Sequence, residues 1–137
     1  MKPLVLGVGS PFAADRVGWC AVEALQSRFG DALAFECCDR PGAHLLSFLR
    51  GRPCVAIIDA LLGVTAGSLH VLQPSDLARD AGTAVHGFGV ADALGLAEAL
   101  GDLPPRLVLI GIGVGAGEVL PEVDWDALAA QLTNLLA

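Results

Sequence analysis

Apolar positions recur along this chain in two rhythms: short runs that leave little room for polar residues, and longer stretches where they return at helical spacing. The first run, "PLVLGVG", ends in glycines and predicts a buried strand over residues 3–9. Behind it, "RVGWCAVEALQSR" (16–28) brings Val17, Cys20, Ala21, Ala24 and Leu25 onto one helical face. "ALAFECC" (32–38) predicts a second strand, "DRPG" a turn, and "AHLLSFLR" (43–50) a short helix. "CVAIIDAL" (54–61) is apolar on both faces, as a central strand must be, whereas "GSLHVLQ" (67–73) alternates as an edge strand does. "PSDLARDAGTAVHGFG" reads as loop with one helical turn at most. "VADALGLAEALG" (90–101) predicts a helix stopped by Gly101, Pro104 and Pro105, and "RLVLIGIGV" (106–114) another buried strand. "DWDALAAQLTNLLA" (124–137) predicts a closing helix with Asp124 as its N-cap. Strands apolar on both faces, alternating with helices, predict an α/β fold: a parallel sheet covered on both sides.

Composition narrows the classes of partner. The 137 residues, 54% of them hydrophobic, suit one domain over 1–137 with a core of its own. The net charge is −7 and Lys and Arg form no cluster, which removes the usual nucleic-acid surface. With no tyrosine and few aromatics, a base-stacking platform is absent too. Residues 107–117 are uncharged but too short and glycine-rich to span a bilayer. The start meets glycine and proline too early for a signal-peptide core, so the expectation is a cytoplasmic protein with no membrane insertion. Cys20, Cys37, Cys38 and Cys54 form no C-x-x-C pair and read as small buried apolar residues in a reducing compartment. In a strand, Cys37 and Cys38 point to opposite faces.

In a parallel sheet the working groups gather outside the carboxyl ends of the strands. At the first such end stands "GVGSPFAADRVGW" (7–19). Gly7-x-Gly9 begins like a dinucleotide loop, with Asp39 as the acid some way downstream, but Phe12 takes the place of the third glycine and Pro11 stiffens the turn. Asp15 would repel a pyrophosphate; it suits either a helix cap or a site with a different partner. At the third strand's end, Asp59 interrupts an apolar run, as a backbone-bonded carboxylate or as a ligand or general base. His86 precedes Gly87 and Gly89, which allow close approach around it, just ahead of a helix. His44 and His70 have no such setting, and Asp92, in the first turns of that helix, reads as a dipole-favoured acid. Asp15, Asp59 and His86 together would make a three-ligand O,O,N site with an open position, suited to Zn²⁺, Ni²⁺ or a similar divalent ion. The first loop is then negative because its partner is a cation.

Three blocks, "LVLGVGSPFAADRVGW", "IIDALLGVTAGSLHVL" and "HGFGVADALGLAEALGDLPPRLVLIGIGV", resemble in order and spacing the signature blocks of the hydrogenase maturation protease family. The resemblance runs from about residue 3 to residue 114. It implies a three-layer α/β sandwich around a mostly parallel five-stranded sheet. It implies an endopeptidase that removes the C-terminal extension of a nickel–iron hydrogenase large-subunit precursor, with the nickel in that substrate as the recognition element. It places the family's first-loop acid, third-strand aspartate and late histidine on Asp15, Asp59 and His86, as catalytic and metal-contacting residues. Gly9, Ser10 and Gly87 would shape their loops, and a further divalent metal could occupy the resting site. The chain departs from the family pattern in two places. Ala13 and Ala14 stand where a glycine and the first of two adjacent acids are usual, and Thr83, Ala84 and Val85 precede His86, where a serine or threonine usually adjoins the histidine. These departures leave, as the alternative, a catalytically weak or inactive family member that binds a hydrogenase precursor or another partner without cutting, and a small nucleotide-binding module as a third reading.

Overall fold

A computed structural model describes residues 1–39, 44–73 and 88–137, with side chains from residue 94 in the last segment. Its strands are β1 (Leu4–Gly9), β2 (Ala34–Asp39), β3 (Cys54–Leu61), β4 (Leu69–Leu72) and β5 (Arg106–Gly113). Its α-helices are α1 (Val17–Phe29), α2 (Leu45–Leu49), α3 (Phe88–Leu100) and α4 (Trp125–Leu136). The five strands form one sheet in the order β2-β1-β3-β5-β4. β1 pairs in parallel with β2 and β3, β3 in parallel with β5, and β4 runs antiparallel to β5. The sheet is therefore mostly parallel, with β3 at its centre and β4 at one edge, as the apolar pattern predicts.

Two apolar layers sandwich the sheet. Leu4, Leu6, Val8, Val55, Ile57 and Leu109 form one face and meet Leu45 and Leu49 of α2 and Leu94 and Ala97 of α3. Val5, Ala56, Ile58, Ile110 and Ile112 form the other and meet Val17, Ala21 and Leu25 of α1 and Leu128 and Leu132 of α4. Strict alternation along each strand produces this division, and each fully buried Leu or Ile contributes about 2 kcal/mol. No helix among the described residues is long and apolar enough to cross a membrane.

On the α1 face of β1, period-two alternation places Gly7 and Gly9 on the side of Val5. There the helix comes down onto bare backbone. A Cβ on Gly7 would strike the Gly18 carbonyl, and one on Gly18 would strike the carbonyls of Val8 and Ile58. Only glycine at both positions lets the first turn of α1 rest on the ends of β1 and β3. The third glycine of a dinucleotide loop serves this same packing purpose; here Gly18 serves it, inside the helix.

Cysteine placement corrects one expectation. None of the four is in a disulfide; Cys38 and Cys54 are buried, but Cys20 is only half-buried and Cys37 is exposed on the edge strand. Cys38, on the opposite face, joins the core, whereas Cys37 lies on the α1 face of the outermost strand, where the cover is incomplete.

Candidate functional site

β1 ends at Gly9, and the chain then turns through residues 10–12 into a single 3₁₀ turn, Ala13–Arg16, which runs straight into α1. This loop closes on itself. The Ser10 amide donates to the Asp15 carbonyl at 3.2 Å and the Asp15 amide to the Phe12 carbonyl at 3.0 Å. The Ser10 hydroxyl donates to the Asp15 carboxylate at 2.5 Å, a short charge-assisted bond that fixes the carboxylate's direction. Gly9 completes the closure, since a Cβ there would strike the Asp15 carbonyl. Ser10 and Gly9 thus hold the loop as expected from the sequence.

Asp15 does not cap α1. The N-cap residue is Arg16, which makes no side-chain hydrogen bond to the helix. The half-buried Asp15 side chain is tied instead to the residue that follows β1.

Ala13 adopts φ +47°, the one left-handed residue other than glycine among those described. That conformation gives a physical reason for the glycine usual at this place in the family pattern. Ala14, where an acid is usual, is completely buried against the α1 face of the sheet. An ionised side chain could not be accommodated there without a partner.

The 3₁₀ turn bearing Asp15 packs against β3. Asp59 lies near the carboxyl end of that strand, half-buried between buried neighbours, and its carboxylate accepts the Ala60 amide at 2.8 Å. Because β1 and β3 are adjacent and parallel, with Gly7 opposite Ile58, both acids stand at the same end of the sheet. His86 and Gly87 lie outside the described residues, as does the side chain of Asp92. The helix that follows His86 begins at Phe88. Among the described residues no three His, Cys, Asp or Glu side chains converge as a metal site. His70 is elsewhere: on edge strand β4, bonded to the Ser68 hydroxyl at 2.8 Å.

No family profile matches the chain. Individual relatives do. The hydrogenase expression/formation protein HupM of Azotobacter chroococcum mcd 1 is 30% identical over 141 residues, covering 98% of this chain and 68% of that protein. The chain belongs to the hydrogenase maturation protease family. The hydrogenase 2 maturation protease of Escherichia coli (strain K12) is 29% identical over 119 residues, or 82% of this chain and 73% of that one. Among solved structures, the hydrogenase maturating endopeptidase HybD from E. coli superposes with a TM-score of 0.79 at 24% identity, over 99% of this chain and 92% of its own. The maturation protease fold is therefore present.

Two residues beside the site were missed by sequence reasoning. Trp19, in the first turn of α1, donates its indole N–H to the Cys38 carbonyl at 3.1 Å and so ties the helix to the end of β2. Phe12, 75% exposed, projects from the Asp15 loop. The available signal for Phe12 was an aromatic residue in a loop of glycine, serine and proline.

Proposed function

We propose that this chain is an endopeptidase that removes the C-terminal extension of a nickel–iron hydrogenase large-subunit precursor. The nickel carried by that precursor would serve as the recognition element. The observation that carries the reading is the Asp15 carboxylate, turned by Ser10 toward the end of β1 beside the strand that carries Asp59 near its own end, in a chain of the maturation protease family.

The donor chemistry fits the role. Two carboxylates and the imidazole of His86 offer oxygen and nitrogen ligands of the kind that nickel or zinc accepts. Bound by these residues, a divalent ion would supply Lewis-acid chemistry, the polarisation of an amide carbonyl and the activation of a water molecule. The chain's own contribution is to hold its ligands still: Ser10 orients Asp15, and the Ala60 amide orients Asp59. The same donors would suit a resident divalent ion, and four cysteines outside any disulfide support the cytoplasm as the compartment. A nucleotide's phosphates suit the loop poorly, because its closing hydrogen bond ends on a carboxylate.

The test is a processing reaction with nickel-loaded and nickel-free precursor, followed by intact mass. Loss of a C-terminal fragment from the loaded form alone is the expected result. Stable association without mass loss would instead support the non-cutting binder, with the burial of Ala14 in place of an acid as its structural ground.

A further inference from the structure

α1 carries Trp19, Val22, Glu23 and Gln26 on one stripe, at the spacing of a single helical face. That stripe faces the carboxyl end of β2, and between them lies a groove of about 470 Å³ floored by Trp19 and bounded by Cys37 and Asp39. β2 is the outermost strand; among the described residues it pairs with β1 and with nothing on its other side. An added strand would lie about 4.8 Å beyond it, with its backbone groups satisfied along the edge. The groove also leads to the site. Asp39 is in register with Gly9, the residue before Ser10, and the Trp19 indole nitrogen lies within 3.4 Å of where a Gly9 Cβ would stand.

We propose that this groove receives the precursor's C-terminal segment as an extended, positively charged strand along the free edge of β2, delivering it to the Asp15 loop. The inference rests on the function proposed above and names how that substrate is held. Charge complementarity selects the occupant. Among the described residues that line the groove, Glu23 and Asp39 are acidic and none is Lys or Arg, and Glu36 is exposed on the same strand. The apolar and indole surfaces of Trp19 and Val22 suit the stem of a Lys or Arg side chain and its charged head.

Glu23 is exposed and outside the catalytic loop, so Glu23→Lys tests the groove without threatening the fold. With nickel-loaded precursor, the variant should raise KM about fivefold at unchanged kcat, and a precursor whose tail Lys and Arg are changed to Glu should reverse the preference. A second readout uses Trp125→Phe, so that fluorescence reports Trp19 alone. An alternating lysine–valine hexapeptide should shift the emission, its glutamate–valine counterpart should not, and Glu23→Lys should abolish the response. Asp15→Ala should stop cutting and keep the peptide response. Equal KM for Glu23→Lys and wild type, or no response of Trp19 to the lysine peptide, overturns the groove while leaving the protease intact. Self-association through this edge, seen as concentration-dependent sedimentation that Glu23→Lys disrupts, also overturns it. If the wild type cuts no precursor, the proposed function fails, and the peptide response alone decides the groove.

Discussion

Asp15 and Asp124 are the same residue type a step or two before a helix, yet they do different things. Asp124 takes the N-cap of α4 in extended conformation and accepts the Ala127 amide at 3.0 Å. Asp15 sits inside a 3₁₀ turn, one residue before an N-cap whose side chain makes no hydrogen bond to the helix, and is drawn sideways by Ser10. A capping carboxylate is committed to its own helix. One held by a serine at a strand end is oriented toward whatever occupies the end of the sheet. The difference comes from the backbone around each acid: the left-handed Ala13 turns the chain so that Asp15 faces β1 and not α1.

That contrast can be broken most forcefully at Asp15. Asp15→Ala should lower precursor processing by about a thousandfold, roughly 4 kcal/mol of transition-state stabilisation, with thermal unfolding little changed. Full processing by this variant would make Asp15 a structural acid after all. Next in size, Gly18→Ala should destabilise by about 3 kcal/mol in denaturant unfolding, because its methyl meets the Val8 and Ile58 carbonyls and the helix must lift. A gain in helix propensity of up to about 1 kcal/mol does not offset that. At the other acid, Asp124→Ala should cost about 1 kcal/mol of stability and leave processing untouched. Ala13→Gly should stabilise by about 0.5–1 kcal/mol, since it relieves a left-handed alanine, and a higher melting temperature with unchanged cleavage would show it.

The smallest effect concerns Cys37. Although the residue is exposed, the partial burial of its thiol pushes it above the ordinary value of 9.0, and the negative charges of Glu36 and Cys20 push in the same direction. The reactive thiolate is therefore scarce near pH 8 and grows only as pH passes above that value. Alkylation by iodoacetamide should be slow at pH 8 and rise with a midpoint above 9.0. Rapid labelling at neutral pH would mean that the strand edge is more open than described.

Much of the fold was legible because the inner strands β1, β3 and β5 bury both faces. "CVAIIDAL" has no polar face, and it is the third of five strands. "GSLHVLQ" has one, and it is an edge. The candidate acids were legible for a related reason: a carboxylate at the end of an apolar run is costly unless it has work or a partner. What stayed hidden depended on contacts between distant segments. Gly18 looked like a weak spot in a helix, and its purpose appears only when Val8 and Ile58 are placed beneath it. Trp19 looked like one more apolar helix residue until its N–H met the carbonyl of Cys38, nineteen positions on. Cys37 and Cys38 are chemically identical, and no local pattern says which of them faces the core.

The strand order has a kinetic consequence. β1 and β2 are neighbours linked through a single helix, whereas β1 and β3 pair across some fifty residues, as in Leu4 with Val55. Long-range parallel pairing is slow, because the loop must close before any contact rewards it. The ends of β1 and β3, with Asp15 on one side and Asp59 on the other, come together only in that late step. A partly folded chain therefore holds the two acids apart, and a nascent protease of this design stays inert until its central strands have joined.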